Sequence, residues 1–406
     1  LLFRKTQALS EADILALLIG NQPVPKFGDP GGLMLSDADL ISQRNGGTWS
    51  RLINRESWTN RLPVLAWLLV VELVYLAALP LSIFIFRPLP DRGIILARIL
   101  GLLGAAYTAW MLVSLGWLEF SRTAIALGFL GLLAASGVVL VFRGAEIKSF
   151  VTQRWRLLLG AETLFLLAFL AFVALRAANP DLWHAWRGGE KPMEFAYFNA
   201  VIRSTTMPPF DPWFSGGYLN YYYWGYFIPA ALVRVTGILP AAAFNLAVPL
   251  FFALTVTGAF SLVYNLAEGV RRSRGDPPAG GEGQPLNRRF WDFKSPVVAG
   301  LFGSLFIGVI GNLDGLVQVV QGAWSRTFQT AGAFTQFDFW RSSRMIPFQE
   351  NFDPSPLAFW VADKVPGAPE MSPHITEFPF FTFLFADLHA HMMAIPFTLL
   401  VIGLGL

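Results

Sequence analysis

The side chains best suited to proton transfer or cation binding fall in two stretches far apart in the chain. The first contains Glu190-Lys191-Pro192-Met193-Glu194 and, further on, Asp211 between Phe210 and Pro212. The second contains Glu377 and ends in Asp387-Leu388-His389-Ala390-His391. All four histidines, His184, His374, His389 and His391, lie in or at the edge of these stretches. A positioned carboxylate can take the proton of an attacking hydroxyl, so Glu190, Glu194 and Asp211 are candidate general bases. In an extended segment a His-x-His pair presents both imidazoles to one side and can chelate a metal, with Asp387 as a third ligand. At a helix start the same two side chains diverge by about 200° and do not easily share an ion. The pair then serves as a substrate contact or as structure, with Asp387 as a helix N-cap. On the residues alone all three readings stay open.

Local pattern places these groups on short amphipathic elements. From Pro192 onward the apolar positions 195, 198, 201 and 202 predict a helix that is greasy on one face and lies on a membrane surface. Glu190 precedes its first turn and Glu194 lies within it, where the helix dipole favours a carboxylate whether or not it does chemistry. Pro208, Pro209 and Pro212 then stiffen the loop around Asp211, and Gly216-Gly217 permits a tight turn. Asn220, Tyr221, Tyr222 and Tyr223 offer hydroxyls and ring faces that suit either a bound sugar or an aromatic membrane belt.

What must position these residues is a membrane bundle. The 406-residue chain is 54% hydrophobic and 14% charged, against roughly a quarter charged for a soluble domain. Apolar runs long enough to cross about 30 Å of hydrocarbon lie at 62–86, 94–118, 123–142, 156–177, 240–267, 295–313 and 388–406. An eighth run, 221–238, is shorter and interrupted by Pro229 and Arg234. Basic residues cluster after the first run (Arg87, Arg92, Arg98), after the third (Arg143, Lys148, Arg154, Arg156) and between 267 and 295. If 221–238 lies in the interface instead of crossing, all three clusters fall on the cytoplasmic side, as the positive-inside rule requires.

That choice makes 62–406 the membrane domain, with 178–239 and 314–387 as extracytoplasmic loops and 268–294 as a cytoplasmic linker. Residues 1–61 form an extracytoplasmic segment, read as the tail of a preceding module in a longer polypeptide. The predicted location is the cell membrane, multi-pass, with the active face extracytoplasmic. The net charge of +3 is modest and the basic residues collect on loops, so no nucleic-acid partner is expected. The chain has no cysteine, which excludes disulfides and thiolate metal sites.

Two blocks carry a family resemblance. Asn220-Tyr221-Tyr222-Tyr223-Trp224-Gly225 resembles the YYYxG signature of the Chlor_Arch_YYY membrane proteins, a domain of unknown function. The segment 375–391, Ile-Thr-Glu-Phe-Pro-Phe-Phe through Ala-Asp-Leu-His-Ala-His, resembles that family's second motif. The family in turn resembles the GT-C glycosyltransferases, which place acids in the first long extracytoplasmic loop, followed by interfacial helices. Glu190/Glu194, Pro208-Pro209 and the tyrosine run match that order, although the acids here are four apart instead of adjacent. The resemblance implies an all-α, polytopic, GT-C-like helix bundle. It also implies transfer of a sugar from a polyprenyl-phosphate donor with inversion. Glu190 or Glu194 (with Asp211 as a further candidate) would act as base, and Asn220, Tyr221, Tyr222, Tyr223 and Glu377 would contact substrate. Arg341, Arg344 or a divalent metal on Asp387, His389 and His391 would steady the leaving phosphate. A non-enzymatic membrane transporter or scaffold is the alternative. The two loops are expected to meet in one cavity, floored by the tyrosine helix.

Overall fold

A computed structural model describes residues 33–183, 189–275, 295–311, 313–328, 343 and 377–406. His184, Arg341, Arg344 and His374, residues 1–32, the linker from 276 to 294 and most of the loop 314–387 lie outside the described residues. Every regular element among the described residues is helical. Among the same residues, isolated bridges pair Met34 with Gly217 and Phe210 with Tyr218.

Short helices α1 (Asp37–Gly46), α2 (Trp49–Leu52) and α3 (Trp58–Arg61) lead into the long apolar helices. These are α4 (Pro63–Ile85), α5 (Ala97–Ser114), α6 (Arg122–Gln153), α7 (Trp155–Ala178) and α10 (Pro240–Ser273), each long and apolar enough to cross a membrane. Between α7 and α10 come α8 (Lys191–Arg203) and α9 (Tyr223–Thr236). After the linker, α11 (Pro296–Leu305) continues as a π-helical turn (Phe306–Ile310), and α12 (Asp314–Phe328) leaves at 74° to it, so the pair counts at most as one broken span. The chain closes with α13 (Pro379–Phe385) and the shorter apolar helix α14 (Ala390–Gly405). The protein is an all-α polytopic membrane protein, and its long helices overlap the apolar runs read from the sequence, with α6 continuing past its run through Arg143 and Lys148 to Gln153.

α10 is the axis of the bundle. It is buried along most of its length, with α7, α11 and α14 packed against it, while α4, α5 and α6 form a neighbouring group. Close approach in that group depends on small residues, as expected where lipid supplies no hydrophobic drive between helices. A Cβ on Gly128 would sit 2.3 Å from the Ala105 carbonyl, so α5 and α6 touch backbone to backbone there.

The non-spanning segments gather at one end. Ser42 Oγ lies 2.8 Å from both Glu119 Oε1, to which it donates, and the Thr205 hydroxyl, the Phe120 amide donates to the Thr205 carbonyl at 2.7 Å, and the Leu239 amide donates to Asn60 Oδ1 at 2.8 Å. α14 starts at this end. Its far end packs Gly403 against Leu96 and Phe86, beside the turn whose Arg87 and Arg92 pair with Glu146. The arginine-rich turn and the histidines therefore lie at opposite ends of α14, about 24 Å apart for its 16 residues.

The structure revises the predicted surface helices. α9 does not present one face outward, because Tyr226 through Arg234 are buried under neighbouring helices. At about 21 Å for 14 residues it is also too short to cross the hydrocarbon. α8 does bury Phe198, Val201 and Ile202, but it buries Lys191 and Glu194 as well. Glu194 and Phe198 are four apart and share a stripe, so the face that holds the phenylalanine holds the acid too. Glu194 is thus an interior residue, contrary to its reading in the first turn of a helix lying on the membrane surface.

Candidate carboxylate–histidine centre

Three backbone features bring the two stretches together. α13 ends because Ala386 adopts the left-handed conformation, with φ of +63°. That conformation is disfavoured for a residue with a Cβ and is kept only where its surroundings fix it; Ala386 is fully buried. The turn aims Asp387 and Leu388 at the start of α8. On the facing side Gly189 has φ of +60°, and a Cβ there would lie 2.4 Å from the Phe385 ring and 2.5 Å from Asp387 Oδ2. Only glycine allows this approach, and it lets the Glu190 amide donate to Asp387 Oδ2 at 3.1 Å. His389 is then the extended N-cap residue of α14, with ψ of 148°.

Around His389 the structure places four carboxylates. Its Nε2 lies 3.2 Å from Glu194 Oε1, 3.4 Å from Glu190 Oε2 and 3.6 Å from Asp387 Oδ2, and its Nδ1 lies 3.1 Å from Glu377 Oε2. The same Glu377 oxygen is 3.1 Å from His391 Nε2, which also meets Thr382 Oγ1 at 3.0 Å. The fully buried Glu194 accepts the Leu388 amide at Oε2, at 2.7 Å. Lys191 Nζ pairs with Asp387 Oδ1 at 2.7 Å and sits 4.2 Å over the Phe385 ring.

The field inside this cluster follows from burial and proximity. Burial, reinforced by the charge of Asp387, pushes the Glu194 carboxyl up to about 8 despite His389. Burial also raises Asp387, against the pull of Lys191. For His389 burial works against the charged ring, but the hydrogen bond to Glu377 and the charges of Glu194, Glu377 and Asp387 prevail and raise it to about 9. Glu377 is raised by burial but drawn down more strongly by the two imidazoles, to about 2.

The structure brings Glu190, Glu194, Glu377, Asp387, His389 and His391 into one cluster and leaves other sequence candidates outside it. Asp211 Oδ1 accepts the Trp213 and Phe214 amides at 2.7 and 3.0 Å, so this carboxylate closes its own turn. Tyr223 points the other way, its hydroxyl accepting from Trp110 Nε1 at 3.1 Å. Tyr221 and Tyr222 stack in a group with Tyr197 and Tyr226, and Asn220 is exposed beside them. Asp387 is not the N-cap of α14, because it is turned toward Lys191 and the Glu190 amide. The 200° divergence expected of the histidines does not arise either. His389 is still extended while Ala390 begins the helix, and the two ring centroids are 5.3 Å apart.

Lys191 was not among the sequence candidates. Its signal was a lysine at a helix N-terminus, where the dipole disfavours a cation unless a buried anion holds it.

A pocket of about 300 Å³ opens between α5, α9 and α14, lined by Leu103, Tyr222, Trp224, Met393, Phe397 and Ala390, the residue between the two histidines. No curated protein and no solved structure matches the chain. Residues 105–406, which include both motif blocks and every member of the cluster, match a family described as uncharacterized membrane proteins (DUF2298), and the chain belongs to that family.

Proposed function

We propose that this chain is a membrane-embedded glycosyltransferase that takes its sugar from a polyprenyl-phosphate donor at the extracytoplasmic face. The observation that carries this reading is the placement of an accessible carboxylate, Glu190, on a buried polar cluster that adjoins an apolar pocket. The Glu190 side chain is 57% exposed, whereas Glu194 is wholly buried and bound to the Leu388 amide. Glu190 is therefore the base and Glu194 a positioning residue. The acceptor hydroxyl gives its proton to Glu190 as its oxygen bonds to the anomeric carbon. The bond from that carbon to the phosphate oxygen breaks, and polyprenyl phosphate leaves with the electron pair, inverting the centre. The lipid chain lies in the apolar pocket beside Tyr222 and Met393. Sidedness follows from the arginine-rich turn at the opposite end of α14, which the positive-inside rule assigns to the cytoplasm.

The test is release of polyprenyl phosphate from defined polyprenyl-phosphate sugars by the protein in liposomes. Glu190→Gln is expected to lower turnover at least about 100-fold, the usual contribution of a general base, with unchanged thermal unfolding. Full turnover in that variant would defeat the assignment of the base, and no release from any donor with the wild-type protein would defeat the reading itself.

A further inference from the structure

We infer that Glu377, His389 and His391 form a divalent-metal site suited to zinc, with Glu194 orienting His389 for it. The inference holds whatever group the protein transfers. Glu377 Oε2 stands 3.1 Å from both His389 Nδ1 and His391 Nε2, and the three donor atoms all lie within 4.8 Å of one another. Donors bound tetrahedrally to one zinc at about 2.0–2.1 Å stand roughly 3.4 Å apart, close to both Glu377–imidazole separations. Two imidazoles and a carboxylate leave a coordination position open, as in catalytic zinc sites. His391 is 47% exposed, so the triad can be reached from solvent.

A second observation comes from the far side of the ring. Glu194 Oε1 is buried without a hydrogen bond of good geometry, yet it lies 3.2 Å from His389 Nε2. A histidine that binds metal through Nδ1 keeps its proton on Nε2 and ordinarily donates it to a carboxylate, which fixes the ring. Coordination at Nδ1 thus keeps the ring's remaining proton on Nε2, facing Glu194 Oε1. The charge balance points the same way. Among the described residues four carboxylates face His389, and the ammonium of Lys191 pairs with one of them, with the Arg176 guanidinium in the background. Of these, Asp387 and Glu194 are fully buried, and a buried charge is stable when paired or when it coordinates a metal.

Glu190, Glu194 and His389 Nε2 make a neighbouring triad of similar spacing. It has a single imidazole, and one of its acids is already held by the Leu388 amide, so the ion is assigned to the first triad. Asp387, the third ligand predicted from the sequence, is replaced in that role by Glu377, because Lys191 occupies it.

The experiment uses the purified protein in detergent, stripped with a chelator and dialysed against micromolar zinc chloride. Metal content is read by mass spectrometry and affinity by calorimetry. The expected result is about one zinc per chain, lost in His391→Ala and Glu377→Ala, and weakened about 10- to 100-fold in Glu194→Gln, the usual effect of removing a carboxylate behind a ligand. His391→Cys, loaded with cobalt, is expected to show a thiolate-to-cobalt absorption band alongside a wild-type unfolding midpoint, a signal that requires residue 391 itself to bind the metal. Three results would overturn the site: no zinc bound by the wild-type protein, undiminished binding in His391→Ala, or loss on Glu190→Gln with His391→Ala intact, which would move the ion to the neighbouring triad.

Discussion

At the scale of single residues, the buried pair of Lys191 and Asp387 decides how the site is held. Their side chains are 8% and 0% exposed, so each charge is stable there chiefly because of the other. Removing one partner of such a pair leaves an uncompensated charge and destabilises by about 3–5 kcal/mol, whereas replacing both is often close to neutral. Lys191→Met is therefore expected to lower thermal stability markedly, and adding Asp387→Asn to restore much of it. Additive losses in the double variant, read from unfolding midpoints in detergent, would show that the pair is not coupled. By contrast Arg61 and Glu56 sit 3.9 Å apart at 72% and 87% exposure, and deleting that pair is expected to change little.

Between elements the same argument applies inside the bundle. Arg98 at the start of α5 donates to Glu72 of α4 at 2.7 Å and to Glu162 of α7, and its guanidinium lies over the rings of Tyr75 and Phe165. One side chain ties together three helices that are otherwise almost featureless in sequence. Ionisable groups within spans are costly and persist where they pair. Arg98→Met strands two carboxylates and is expected to cost at least about 3 kcal/mol, measured as a drop in unfolding midpoint. Restoration by adding Glu72→Gln and Glu162→Gln would confirm the cause, and a wild-type midpoint in Arg98→Met would refute it. This cluster was not legible in the sequence, because Glu72 and Glu162 appear there as isolated charges in separate apolar runs and Arg98 reads as one of the cytoplasmic arginines after the first run, whereas the structure buries it inside the bundle.

For the whole molecule the prediction is sidedness. Since the chain contains no cysteine, a single introduced thiol labels without background. Ser215 lies in the exposed loop before α9 and Ser273 at the exposed end of α10, so Ser215→Cys and Ser273→Cys should react with an impermeant maleimide from opposite sides of the membrane. Labelling from the same side would overturn the topology and with it the extracytoplasmic placement of the site.

The sequence by itself determined the fold class, because crossing a bilayer demands continuous apolar runs that no tertiary contact can hide; the helix ends it left open, since α6 runs on to Gln153, well past the apolar run at 123–142. It also picked out Glu190, Glu194, Glu377, Asp387, His389 and His391, since acids and imidazoles in so apolar a chain need a reason. Their mutual arrangement came from the tertiary structure. The left-handed turns at Gly189 and Ala386 carry no periodic signal, yet they bring the start of α8 against the start of α14 and place His389 among four carboxylates. They also separate Glu190, which remains accessible, from Glu194, which the same turn buries. Asp211 shows the converse: its Pro-flanked position resembled that of a catalytic acid, but two amides within its own turn take the carboxylate. The burial of α9 was likewise decided by packing, because a helix of tyrosines and small apolar residues suits a membrane surface and a protein interior equally well.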